Sequence, residues 1–332
     1  MAKRREDGKS GVENKENLKM YPRIRRNGKM EAGKLEHIFY LEEEIAGEPY
    51  LEEMIMGSLG IFHVIKNTWH MQQMEKRNCL VIAATDHTVQ RAQALGFAVC
   101  AYANPNFPGQ GLYGADVLVE SFEEVDLAYL DRVRRRHFKI PWDITETKRC
   151  LIREICMDDM EALFAIYEEP HMTDYMEPLY PWEEELAYEQ AYIDNMYRFY
   201  EYGMWVVIEK STGKLIGRAG LEHREYPADE DCGQTGTYDG RDTAKDIKPR
   251  VVMELEMGYA IAASYQNKGY ATEVCQAILA YAEEYLDYPR INCLIEKENT
   301  ASIRLAEKLG FTCHGISMAA GKTMLRYVKG NC

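Results

Sequence analysis

The apolar positions of this chain fall into two successive patterns. In the first, Leu80-Val81-Ile82-Ala83-Ala84 has no polar position, as expected of a strand buried on both faces. Thr85 or Asp86 then offers a helix cap, helical spacing runs to about residue 94, and Gly96 stops it. Residues 97–102 predict a second strand, Asn104-Pro105-Asn106 a turn, Val117-Leu118-Val119 a third short strand, and 127–135 a helix. Strand–helix–strand order predicts a parallel sheet.

From about residue 148 the pattern mixes helices with hairpins. Cys150-Leu151-Ile152-Arg153 reads as a strand, Asp158 or Asp159 as the cap of a helix over 160–167, and 182–200 as a second helix. Trp205-Val206-Val207-Ile208 and Leu215-Ile216-Gly217-Arg218 flank Ser211-Thr212-Gly213-Lys214, a hairpin signal. A polar insert over 222–248 precedes a strand over 251–262. A helix starting at Thr272 places Val274, Ile278, Tyr281 and Tyr285 near one face. A strand over 291–295, a helix over 300–309 stopped by Gly310, and strands near Phe311 and 324–328 complete the chain.

Length divides this pattern further. The 332 residues suggest two folded units, 36–144 and 148–332, joined near Ile140-Pro141-Trp142-Asp143, after a tail over 1–35. That tail is basic and poor in large apolar groups, which predicts disorder, with an RNA-contacting arm as the alternative. The net charge of −14 argues against a nucleic-acid-binding body and against DNA as a partner. No apolar run approaches the roughly 18 residues that span a bilayer, and the polar, basic start is no secretory signal. Nine cysteines with no CxxC pair read as free thiols of a cytoplasmic protein. His63, His70 and His87 lack metal-site spacing, so no metal is expected.

The stretch Gln266-Asn267-Lys268-Gly269-Tyr270-Ala271 lies between the 251–262 strand and the following helix. The first N–H groups of a helix have no intrahelical partner, and the helix dipole favours an anion there. Gly269 lets the backbone approach a ligand and Lys268 adds charge, so this turn is a candidate phosphate cradle. Around it stand Glu254-Leu255-Glu256-Met257-Gly258-Tyr259-Ala260-Ile261 and, downstream, Asn299-Thr300-Ala301-Ser302 running to Gly310-Phe311. Leu151-Ile152-Arg153-Glu154 and Ile216-Gly217-Arg218-Ala219-Gly220-Leu221 lie upstream. In this order the segments resemble the GNAT superfamily of acetyl-CoA-dependent N-acetyltransferases, and within it the Rim-type branch that acetylates ribosomal-protein N-termini.

The resemblance implies a mixed α/β fold with a central, mostly antiparallel sheet in the second unit, with acetyl-CoA as co-substrate. It implies that Gln266, Asn267, Lys268, Gly269, Tyr270, Ala271 and Thr272 hold the CoA pyrophosphate through backbone N–H groups. Ile261 and Ala262 fit the strand end that splays from its neighbour, pairs with pantetheine and polarises the thioester carbonyl. Asn299 fits the asparagine that bonds the pantetheine end. The partner is an amine acceptor, a small molecule or a protein N-terminus such as that of a ribosomal protein. A homo-oligomer is compatible with the sequence.

Amine acetylation needs a neutral amine, a polarised thioester and a proton for the leaving thiolate. Glu254 and Glu256 share one strand face, and either carboxylate can take the ammonium proton. Glu256 matches the family's E-x-G-Y position and is the first choice as base, Glu254 the alternative, against a reading in which one or both simply face solvent. The tyrosine that many relatives place seven residues after the asparagine is Ala306 here, which leaves Ser302, Tyr259, Tyr270 or water as acid. The aromatic and acidic region 168–205 walls the acceptor site in the family, and the acids of the 222–248 insert read as a lid or as loop charge.

The first unit resembles the Rossmann-like core of haloacid-dehalogenase-type (HAD) hydrolases. The likeness rests on the strand-Thr85-helix with Ala-Leu-Gly-Phe over 94–97, on Asn104-Pro105, on Gly114-Ala115-Asp116-Val117, and on Ser121-Phe122-Glu123-Glu124-Val125. The aspartate motif of that family is missing: Tyr40 stands at the nucleophile position of Ile38-Phe39-Tyr40-Leu41-Glu42, and the metal-binding acids fall on Ala83 and Ala84. A non-catalytic scaffold is expected. The functional expectation is direct acetyl transfer to a primary amine in a ternary complex; the alternative is an acetyl-CoA-binding regulatory protein with weak or no catalysis.

Overall fold

The computed structural model describes residues 34–58, 60–66, 74–200, 202–227, 251–286, 288–319 and 321–330. The expected tail up to residue 33, His70 and the acids at 229–231 lie outside these residues. Residues 32–332 form one contact unit holding two sheets.

The first sheet is parallel throughout, in the order β2-β1-β3-β4-β5. Its strands are β1 (His37–Tyr40), β2 (Phe62–Val64), β3 (Cys79–Ala83), β4 (Ala98–Tyr102) and β5 (Val117–Val119). Every residue of β3 and β4 is buried, because both faces are covered. One face packs Ile38, Leu80, Ile82 and Cys100 against Leu130 and Val133 of the helix 127–137. The other packs Phe39, Val81 and Val99 against Val89 and Ala92 of the helix 86–94. β2 was not evident in the sequence: three half-buried residues carry too short a pattern. Helices here are α1 (Glu42–Ile45), α2 (Pro49–Gly57), α3 (Asp86–Ala94) and α4 (Leu127–His137). Thr85, not Asp86, caps α3, its hydroxyl accepting from the Thr88 N–H at 3.3 Å. Asp86 instead takes the N–H groups of Gly111 and Leu112.

The second sheet runs β12-β13-β11-β10-β9-β8-β7-β6, antiparallel except for β10 beside β11. Its strands are β6 (Asp143–Glu146), β7 (Cys150–Glu154), β8 (Met204–Glu209), β9 (Leu215–Pro227), β10 (Val251–Ile261), β11 (Arg290–Glu296), β12 (Thr312–Ala319) and β13 (Lys322–Gly330). Its helices are α5 (Met160–Tyr167), α6 (Trp182–Tyr200), α7 (Tyr270–Tyr285) and α8 (Thr300–Lys308). β6 begins at Asp143, the last residue of the expected join Ile140-Pro141-Trp142-Asp143, so the second sheet starts before the first unit's expected end at 144. Arg136 of α4 ties the two parts with an ion pair to Glu154 of β7 at 2.9 Å.

One expectation fails locally. The polar insert does not start at Glu222: β9 continues to Pro227 in register with β10. Its charges are tolerated because partners face them across the strands, as Arg224 faces Glu256 at 2.7 Å.

Candidate active site

Strand β10 stays paired with β9 along its whole length, from Val251 opposite Pro227 to Ile261 opposite Gly217. Its pairing with β11 comprises only Leu255 with Ile291 and Glu256 with Asn292. Past Glu256 the sheet opens. Antiparallel pairing alternates which way backbone groups point. The Ala262 N–H donates to the Ile216 carbonyl at 2.8 Å, so even-numbered residues of β10 turn their polar groups to β9. Tyr259 and Ile261 therefore direct theirs toward the opening. Of the expected pair at the splayed strand end, Ile261 can present an N–H to a ligand, and Ala262 has committed its own.

At the mouth of this opening stands the turn before α7. Asn267 and Gly269 have φ of 57° and 81°, a reversal that brings the chain onto the helix. Asparagine and glycine are the residues that enter this left-handed region at least cost. Gly269 is the N-cap, so α7 begins at Tyr270, two residues earlier than the hydrophobic spacing indicated. No side chain caps α7, and its first in-helix bond from this end is Glu273 N–H to Gly269 O at 3.2 Å. The N–H groups of Tyr270, Ala271 and Thr272 thus occupy the uncapped first turn.

Side chains brace this turn from below. The Gln266 amide donates to Ile261 O at 2.9 Å, linking the turn to the strand end. Lys268 turns back to Ser264 O at 2.7 Å. Arg149, which the sequence reading passed over, donates to Lys268 O at 3.0 Å, pairs with Glu273 at 2.6 Å and lies 4.0 Å over the Tyr270 ring. It lies 119 residues before the turn in sequence, so no local pattern could have joined the two. The Tyr270 hydroxyl donates to Glu209 at 2.5 Å and is thereby occupied.

Asn299 is the N-cap of α8, and its side-chain oxygen accepts from Ser302 N at 3.1 Å. Its amide nitrogen is the end left to face a ligand. Tyr259 reaches α8, its hydroxyl donating to Ser302 O at 3.4 Å, which places two of the expected proton donors together beside the opening. Ala306 is fully buried in the core under α8, so an added phenol would need that core to move.

The two strand glutamates differ. Glu254 is buried, accepts from Asn292 at 2.7 Å, and pairs with Arg326 at 3.0 Å and Arg290 at 3.1 Å. Its oxygens are saturated by structural partners. Glu256 retains 19% side-chain exposure, accepts from the Tyr226 hydroxyl at 2.6 Å and pairs with Arg224. Burial pushes its carboxyl above the ordinary range; Tyr226 and Arg224 pull the other way, and Glu222 adds to the rise.

On the same face of β9 and β10, Glu222 lies opposite Glu256, Gly220 opposite Gly258 and Arg218 opposite Ala260. Helix α6 covers this face. Tyr192 donates to Glu222 at 3.1 Å, and Glu189 approaches Arg218 at 3.4 Å. Glu189 is buried at 2% exposure, and burial raises its carboxyl to about 7, with Glu185 and Glu222 adding and Arg218 opposing. Neither Glu189 nor Arg218 stood out as a single residue in the sequence. Each is one charge among many until the fold brings them face to face.

The carboxyl ends of the first sheet carry a different arrangement. Glu44 of α1 accepts from the Ala84 N–H at 2.6 Å, the Thr85 hydroxyl at 2.7 Å and the Thr88 hydroxyl at 2.6 Å. A carboxylate of the chain itself thus occupies the start of α3, where such sheets usually receive an anionic ligand. Ala83 and Ala84 are buried, and Tyr40 is buried in the adjacent core. His63 pairs with His37 at 2.9 Å. Among the described residues, no group of three or more His, Cys, Asp or Glu could hold a metal ion, and no helix is long and apolar enough to cross a membrane.

Residues 149–312 match the family model of the acetyltransferase (GNAT) domain. The chain is 27% identical over 175 residues to the uncharacterized N-acetyltransferase YoaA of Bacillus subtilis (strain 168), covering 52% of this chain and 85% of that protein. It is 24% identical over 171 residues to the uncharacterized N-acetyltransferase p20 of Bacillus licheniformis, covering 51% and 83%. A solved acetyltransferase from Agrobacterium tumefaciens superposes with a TM-score of 0.43 at 21% identity, over 56% of this chain and 94% of that one. The C-terminal half is a GNAT acetyltransferase domain, and the chain is an acyltransferase.

Proposed function

We propose that this GNAT domain transfers the acetyl group of acetyl-CoA directly to a primary amine, a protein N-terminus or a small-molecule amine, held in a ternary complex. The observation that carries the reading is the opening of the sheet after Glu256 beside an uncapped helix start. The residues present suit the co-substrate. The first N–H groups of α7 suit a pyrophosphate, and the backbone edge at Tyr259, with the N–H of Ile261, suits the amide-containing pantetheine arm.

In this reading Ile261 N–H polarises the thioester carbonyl, and the Asn299 amide holds the far end of the arm. Glu256, through water or directly, takes the proton of the incoming ammonium. Its raised affinity for protons suits a base working near neutrality. The neutral amine nitrogen forms the new bond to the acetyl carbon, the carbon–sulfur bond breaks, and the second proton that the nitrogen sheds reaches the leaving thiolate, relayed on the Tyr259–Ser302 side or by water. Glu254 anchors β10 to β11 and β13 and does no chemistry.

The first sheet, in the same reading, is a scaffold without catalysis of its own, its anion position filled by Glu44. A haloacid-dehalogenase ancestry fits this arrangement. The test is release of CoA thiol from acetyl-CoA across peptides, polyamines and aminoglycosides. Turnover of at least one acceptor is expected. Tight acetyl-CoA binding with no acceptor consumed would instead make the protein an acetyl-CoA sensor.

A further inference from the structure

The turn before α7 is made of contiguous residues, but a distant one holds it. Arg149 precedes β7, and its carbonyl accepts from the Lys210 N–H at 2.8 Å, which ties it to the chain just past β8. From there it grips the start of α7 at three residues. Its backbone N–H and its Nε reach the two oxygens of Glu273 at 2.8 Å and 2.6 Å. Its Nη1 donates to Lys268 O at 3.0 Å, and its guanidinium lies over the Tyr270 ring. Nη2 stands beside Gly269, 3.6 Å from where a Cβ would lie.

This grip has two consequences for an anion at the helix start. The first concerns direction. No cis peptide bond occurs among the described residues, and in a trans unit the C=O and N–H groups point opposite ways. With Lys268 O drawn to Arg149, the Gly269 N–H is turned away from the guanidinium and left free to join the N–H groups of the uncapped first turn. The second concerns charge. Glu273 lies in the first turn of α7, where the helix dipole favours a carboxylate but where it would also repel an anionic ligand. Burial pushes its carboxyl up, yet the Thr147 hydroxyl and Arg149 hold it below the ordinary range, so Glu273 is charged at neutral pH. The Arg149 guanidinium at 2.6 Å cancels that charge.

We propose that Arg149 is the positioning residue of the cofactor end: it fixes the turn so that its N–H groups meet the phosphates of acetyl-CoA, and it shields those phosphates from Glu273. The proposal rests on the acetyltransferase reading and adds to it a residue from outside the contiguous turn. The position calls for arginine and not for any cation. A planar fork of donors serves a carbonyl and a carboxylate at once while stacking on a ring, whereas an ammonium is a compact point charge. The effect belongs to the phosphate end alone. Arg149 acts at residues 268, 270 and 273, while the edge assigned to the pantetheine arm lies at Tyr259 and Ile261.

The test compares the binding of acetyl-CoA and of S-acetylpantetheine, which keeps the arm and the thioester but has no phosphate, to the full chain. Calorimetry reads acetyl-CoA, and ligand-observed NMR reads the weaker ligand. Arg149→Met should weaken acetyl-CoA at least about tenfold and S-acetylpantetheine less than about twofold. Arg149→Lys keeps the charge without the fork and should fall between wild type and Arg149→Met. Adding Glu273→Gln to Arg149→Met should recover part of the loss, because the repelling carboxylate is gone. With side-chain exposures of 37% and 22%, the Arg149–Glu273 pair contributes little to folding, so the variants should fold. Should Arg149→Met not fold, Arg149→Lys decides on the same comparison, with acetyl-CoA weakened and S-acetylpantetheine unchanged. An unchanged acetyl-CoA affinity, or an equal loss for both ligands, overturns the proposal. A wild-type protein that binds no acetyl-CoA would overturn the acetyltransferase reading itself, so the two failures are distinct.

Discussion

Replacing Glu189 by glutamine should stabilise the protein, and more so as pH rises. The substitution keeps shape and removes a charge from a side chain at 2% exposure. Burial lifts this carboxyl from an ordinary 4.5 to about 7, with Glu185 and Glu222 contributing. The folded state therefore holds the proton more tightly than the unfolded state. The stability this gives is fully present below pH 4.5 and is lost as pH rises through about 7. At ~1.36 kcal/mol per pH unit, the interval corresponds to about 3 kcal/mol at most. Glutamine carries no such loss. Urea denaturation of both proteins at half-unit steps from pH 5 to 8 reads the difference directly, since groups common to both cancel. The gap should grow by about 2–3 kcal/mol toward pH 8. A gap that stays flat across this range would mean that Glu189 is solvated or fully paired, and the account of the cluster would be wrong.

Three other expectations concern the reaction. Glu256→Gln should lower kcat about 10²–10⁴-fold with little effect on acetyl-CoA affinity, and the wild-type rate should fall on the acid side at a pH above the ordinary carboxylate range; an unchanged kcat would remove Glu256 as base. Glu254→Gln should act on folding instead, by about 3–5 kcal/mol in chemical denaturation, because it takes the carboxylate from the buried charge of Arg326 and the half-buried charge of Arg290; a kcat loss at full stability would exchange the two roles. Gly269→Asp keeps a residue type that tolerates a φ of 81° but sets a carboxylate at the helix start. Acetyl-CoA should bind at least about tenfold more weakly by calorimetry, and unaltered binding would refute the cradle.

The elements that hydrophobic period defines were legible: β3, β4, α5, α6 and β10 lie where apolar spacing indicated them. The start of α7 was misplaced because Gly269 sets it through backbone conformation, which spacing does not register. The candidate turn 266–272 could be singled out because its residues are contiguous. The acid cluster could not, because Glu189, Arg218 and Glu222 come from separate elements and acquire meaning only through burial. The difference between Glu254 and Glu256 was likewise invisible: two residues apart on one face, they are separated by what β11 and β13 bring to one and not to the other.

The alternation along β10 makes the site a matter of parity. Even positions carry the carboxylates on the face that also bears Glu222 and Arg218 and tie the backbone to β9; odd positions supply the backbone edge at the opening. Loss of a single residue between Val251 and Glu256 would exchange the two sets at once, taking the proposed base off its face. Register is kept by cross-strand partners such as Arg224 with Glu256, so the odd–even phase of the strand is not free to change.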